Sequence, residues 1–106
     1  MPKFLIRGNY TAEGMKGLQK DKASGREKAV ATACTALGGK LEAFYYALGD
    51  DDLFVLVDLP SHVQLAAICV AVGASGMFST RSVPLLTVAE MDQALGADTN
   101  YRPPGG

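Results

Sequence analysis

The sequence predicts an α+β chain of order β-α-β-β-α-β, and three observations carry that prediction. The first is Leu41 to Pro60, LEAFYYALGDDDLFVLVDLP, in which two apolar strand-like runs flank one glycine and three aspartates. The second is a set of helical patterns, each opened by a hydroxyl residue able to cap it, lying between the strand-like runs. The third is the lack of alternation in the strands: Phe44, Tyr45 and Tyr46 stand together, and Leu53 to Val57 is unbroken apolar. A sheet with one wet face alternates apolar and polar residues. These runs therefore ask for cover on both faces, more than so short a chain readily supplies from itself.

Each element has its own warrant. Lys3 to Tyr10 reads as a strand with Phe4, Ile6 and Tyr10 on one side. Thr11 caps a short helix that Gly14 and Gly17 weaken. Ser24 with Glu27 three residues later reads as a capping box for a second helical piece. There Val30, Ala33, Cys34 and Leu37 keep helical spacing until Gly38-Gly39 ends it, so the two pieces are expected to stack as one bent element. Lys40 to Leu48 and Leu53 to Leu59 are antiparallel strands around the turn Gly49 to Asp52. Pro60 stops the second, and Ser61 with Gln64 reads as a capping box for a helix from His62 to about Ala74, apolar nearly all round. Met77 to Leu86 is the fourth strand, where Pro84 favours an edge or a bulge. Thr87 and Glu90 form another capping box, opening a short helix that ends at Gly96. Residues 97–106 read as an irregular tail, leaving 1–96 as the single domain. This is the ferredoxin-like split βαβ order with an extra C-terminal helix. With helices on one sheet face and nothing left for the other, two sheets packed face to face, a dimeric α/β barrel, is the expected solution.

Composition narrows the function. The chain is 106 residues, 48% hydrophobic and 20% charged, with net charge −1. That balance gives no case for nucleic acid, which calls for a clustered basic face. Lys16, Lys20, Lys22, Arg26 and Lys28 are interleaved with Glu13, Asp21 and Glu27, as on a solvated helix surface. No signal peptide is expected in MPKFLIRGNY, and the longest apolar stretch, Leu65 to Ala74, is about half the length that spans a bilayer. No membrane partner is expected. Cys34 and Cys69 lie in apolar patterns and read as buried free thiols of a reducing compartment, hence a cytoplasmic protein.

No sequence pattern assigns catalytic residues, a metal site or a cofactor. Asp50, Asp51 and Asp52 lack the ligand spacing of an EF-hand loop and read as a solvated turn. In that turn Gly49 and Asp52 are structural, Asp52 accepts backbone N–H bonds, and loss of Asp51 is expected to cost little because it relieves repulsion. His62 is the only histidine; behind Ser61 it reads as an ordinary first-turn residue, with acid/base or haem-ligand roles as the functional alternative. Arg7, Asn9, Tyr10, Tyr45, Tyr46 and Arg81 form the one suggestive group. Tyrosine hydroxyls and an arginine in an apolar space could orient a carbonyl or phenolate, so a small apolar or aromatic ligand is the expected partner besides a second copy of the chain. Aromatic packing in a core or interface accounts for the same residues. Tyr45 and Tyr46 are adjacent on a strand, so only one ring faces the helices.

The segments GGKLEAFYYALGDDDLFVLVDLP, NYT followed by EGMKGL, LLTVAEMDQAL and the YRPPG tail resemble the GYD domain family of small bacterial and archaeal proteins. The resemblance covers nearly the whole chain. In the Gly-x-Tyr-Asp-like turn, Gly49 and Asp52 match and Asp51 stands where the family has tyrosine. The resemblance implies the dimeric α/β barrel and no particular activity. Three functions follow as expectations: an oligomeric small-molecule-binding or assembly module, a cofactor-independent oxygenase or isomerase of an aromatic substrate, and a haem-binding protein using His62.

Overall fold

The computed structural model describes residues 1–106. Its elements are β1 (Lys3–Tyr10), α1 (Ala12–Ala36), β2 (Lys40–Tyr46), β3 (Leu53–Asp58), α2 (His62–Ala74), β4 (Phe78–Leu85) and α3 (Val88–Gly96). The strands form one antiparallel sheet in the order β2-β3-β1-β4. The predicted α+β class, element order and C-terminal helix are all present, and β4 with Pro84 lies at an edge. There the missing proline N–H costs no pairing on the outer side.

Strand periodicity divides the side chains between two faces. Phe4, Ile6, Leu53, Val55, Val57 and Phe78 are buried on the helix side, with Cys34, Leu59 and Ile68 completing the core. Leu5, Phe54, Leu56 and Val83 point the other way, where no element covers them; Val83 is exposed and the other three are half-buried. Non-alternation in β3 thus corresponds to one buried and one partly exposed apolar row. Tyr46 lies on the helix side, stacked on Tyr10, while Tyr45 on the open face is 70% exposed.

The capping expectations meet mixed outcomes. Thr11 caps α1 through Gly14 N–H and Thr87 closes a reciprocal box with Glu90. The Ser24 box does not form; α1 instead breaks at Lys22, at φ 66° and ψ 166°, and runs on as a second piece. At Ser61 the hydroxyl accepts from Val63 N–H but donates to the Gln64 side chain, so no reciprocal box exists. Gly14, expected only to weaken the helix, is needed: a Cβ there would lie 1.9 Å from the Met77 carbonyl oxygen. The first turn of α1 is tied down at that crossing, because Thr11 N–H donates to Met77 O and its hydroxyl to Gly76 O.

The C-terminal part stands away from this body. No residue of α3 is buried, and Leu86, Val88, Leu95 and Tyr101 are all more than 60% exposed. The radius of gyration is 16.9 Å, against about 13 Å for a compact chain of this length. No helix is long and apolar enough to cross a membrane.

Candidate functional site

Two places collect the residues singled out by sequence. The first is the turn between β2 and β3 together with the facing ends of β1 and β4. Register sets Arg7 directly opposite Arg81 across the β1–β4 pair. Like charges so placed repel. Asp51 reaches over from the turn and accepts a hydrogen bond from Arg81, while the Arg7 guanidinium lies 3.9 Å away. Its side chain is only 10% exposed, whereas the two arginines keep 42% and 51%. Asn9 joins the cluster, accepting from Arg81 at 3.1 Å and donating to the Asp50 carbonyl at 2.7 Å. Asp52 accepts from Tyr10 N–H at 2.9 Å and donates its own N–H to Gly8 O.

The turn therefore departs from the expectation in one respect. Asp52 accepts a backbone N–H bond, as predicted. Asp51 is not solvated: its carboxylate lies between two arginines that face each other, accepting from Arg81 with Arg7 3.9 Å away. The reason lies in partners 30 and 44 residues away in sequence, which no local turn pattern contains. Arg7, Asn9 and Arg81 are brought together, but most of their polar contacts are directed at the turn. Only Arg7 Nε is buried without a partner.

The second place is a cavity of about 470 Å³ on the helix side of the sheet. Its origin is visible in the packing. Within the order β2-β3-β1-β4, α1 packs chiefly on β2 and α2 on β4, so the helices cover the outer strands. The middle of the sheet, with Ile6, Leu53 and Val55, faces the gap between them. Small residues on the helix walls, among them Gly17, Ala33 and Ala71, leave it unfilled. The break at Lys22 lies over this space, with Asp21 on one side and Arg26 on the other both lining it.

Most of the wall is apolar, and its polar groups are few. Tyr10 lines the cavity and its hydroxyl lies 3.3 Å from that of Tyr46. Burial, and then the hydrogen-bond partner Tyr46, pushes the Tyr10 phenol well above its ordinary pKa, so it stays protonated. Arg26 and Asp21 form a loose pair at 3.4 Å. Cys69 and Ser75 add a thiol and a hydroxyl. Cys34 and Cys69 are both free, but only Cys34 is fully buried, and burial raises its thiol pKa.

Of the sequence candidates, Tyr46 borders this cavity through Tyr10, while Arg7, Asn9, Tyr45 and Arg81 belong to the opposite face. His62 does neither: it stands at the exposed start of α2 with its ring edge-on to Phe4, 5.3 Å between centroids. Asp21 and Arg26 read in sequence as ordinary helix surface, part of an interleaved charge run, yet both line the cavity. Their meaning depends on the kink, and the only signal for that was the expected bend in this helix. No group of three or more His, Cys, Asp or Glu side chains is placed to hold a metal ion.

The family model of the GYD domain matches residues 4–95. No curated protein and no solved structure matches this chain.

Proposed function

The chain belongs to the GYD domain family, and from that premise we propose that it is an oligomeric module that binds a small apolar or aromatic molecule. The cavity between sheet and helices carries the reading: its size falls within the range of ligand pockets, and a mostly apolar wall with a few polar groups suits one small molecule. The oligomer rests on the uncovered face. Leu5, Phe54, Leu56 and Val83 form an apolar row that a second copy's sheet would bury, giving the dimeric α/β barrel. In this reading Tyr45 lies in the dimer contact and Tyr46 beside the ligand, with the protein in the cytoplasm, where Cys34 and Cys69 stay reduced.

The neutral dye N-phenyl-1-naphthylamine tests the cavity, since it brightens in apolar surroundings and the chain has no tryptophan to interfere. Saturable uptake of one dye per chain is expected, and Ala71→Trp, which fills the space, should abolish it. A folded native protein that takes up no dye overturns the binding reading. Light scattering tests the oligomer: a dimer or larger assembly is expected, reduced to monomer by Leu56→Arg, and a native monomer at micromolar concentration defeats that half of the proposal. Oxygen consumption with a bound quinol would move the function to the catalytic alternative.

A further inference from the structure

We propose that the ligand of the helix-side cavity is a monoanionic amphiphile, an apolar body bearing one carboxylate, whose head group is held by Arg26; this rests on the binding reading above. Arg26 is the only cation on the cavity wall and Asp21 the only carboxylate. They meet at 3.4 Å, with side chains 38% and 47% exposed, so their mutual attraction is weak and easily exchanged. A ligand carboxylate offers the guanidinium two parallel hydrogen bonds in place of that loose contact, a stronger pairing by geometry and charge. The surroundings favour an anion as well: from Lys20 to Lys28 the chain carries Lys20, Lys22, Arg26 and Lys28 against Asp21 and Glu27.

The rest of the wall argues for a single polar group on the ligand. Beyond the Arg26 end, the walls built by Ile6, Phe44, Leu53, Val55 and Phe78 hold no charge, so a second ionised group would be buried without a partner. Tyr10 stays neutral and has one long hydrogen bond to Tyr46, which leaves hydroxyl capacity near the head group. A cationic head would meet Arg26 and a net positive segment. A neutral head would leave Arg26 with Asp21 and gain only the apolar contacts.

Lys22 adds an independent mark on the same spot. Its φ of 66° with ψ 166° is a conformation that side-chain-bearing residues avoid, and it lies between Asp21 and Arg26. Without that break a continuous helix would not set these two side chains, five residues apart, on either side of a bend over the cavity.

The test displaces N-phenyl-1-naphthylamine from the full-length protein with decanoate, 1-decanol and decylamine, all below their aggregation limits. Decanoate should bind on the order of tenfold more tightly than decanol, the ratio expected for one charge-assisted pair, with decylamine weakest. Arg26→Gln should bring decanoate down to the level of decanol and leave decanol unchanged. Asp21→Asn should strengthen decanoate severalfold by freeing Arg26. Dye uptake with equal displacement by decanoate and decanol overturns the head-group proposal and leaves the cavity reading standing, whereas no dye uptake by the native protein removes both. Should Arg26→Gln not fold, Asp21→Asn decides, and unchanged decanoate affinity in that variant overturns the proposal.

Discussion

At the Asp50–Asp52 end of the open face polar groups are tied to partners on two strands, β1 and β4, whereas across the sheet the apolar core leaves about 470 Å³ unfilled. The first region is over-determined: one turn bonds to Tyr10 N–H, Gly8 O, Asn9 and Arg81, with the Arg7 guanidinium 3.9 Å from Asp51. The second is under-packed, and it lies beneath a helix broken at a strained lysine. The space is half-open, a cleft at the margin of the core rather than a void sealed inside it. The contrast teaches that two unlike devices act on one sheet: polar contacts tie down one end of the open face, while on the helix side the apolar core stops short of filling the gap between α1 and α2.

The largest effect that bears on this contrast is expected at Asp51. Asp51→Ala removes the carboxylate and leaves Arg7 and Arg81 facing each other. Because water reaches both guanidiniums, the cost stays below that of a fully buried broken pair, at roughly 2–3 kcal/mol. Urea unfolding should report it as a lower midpoint with unchanged slope. A midpoint equal to that of the native protein would mean that the cluster is decoration and that the apolar core alone holds this end of the sheet.

Asp52→Ala should cost less, roughly 1–1.5 kcal/mol, since it loses one accepted bond from Tyr10 N–H while Asp52's own backbone link to Gly8 O remains. The order matters more than either value. If Asp52→Ala is the more damaging, then the backbone link sets the turn and the arginines merely tolerate it. Neither change should alter dye uptake on the helix side.

These two aspartates also measure how far the chain can be read. Asp52's role was legible because its partner, the end of β1, is what a hairpin turn next to that strand must satisfy. The role of Asp51 was not, because register alone puts Arg7 opposite Arg81, and register is a property of the assembled sheet. Strand runs, the helix starts at Thr11 and Thr87 and the edge position of Pro84 were legible for the same reason as Asp52: short-range chemistry dictates them. The cavity was hidden because it arises from where α1 and α2 sit over the sheet, and the Ser24 and Glu27 pattern pointed to a helix start at a place where the chain had already turned at Lys22. The projecting α3 shows a further limit. Its caps and apolar positions are clear in sequence, yet nothing local says that no part of its own chain will cover Leu86, Val88 and Leu95.

The smallest effect separates strain from packing on the cavity side. Lys22 occupies a backbone region open to glycine, and holding a side chain there costs on the order of 1–3 kcal/mol. Lys22→Gly removes that cost but adds the extra freedom glycine gives to the unfolded chain, worth about 0.5–1 kcal/mol. The net result should be a gain of about 1 kcal/mol in unfolding free energy with the kink retained, seen as a modest rise in melting temperature. Lys22→Ala keeps a side chain at the same φ and should give no such gain. If glycine destabilises as much as it would in an ordinary helix interior, α1 is not held in this conformation in solution, and the cavity beneath it closes when the helix straightens. Dye uptake by the two variants then follows the same division: retained in both if the kink is native, and lost where the helix has straightened.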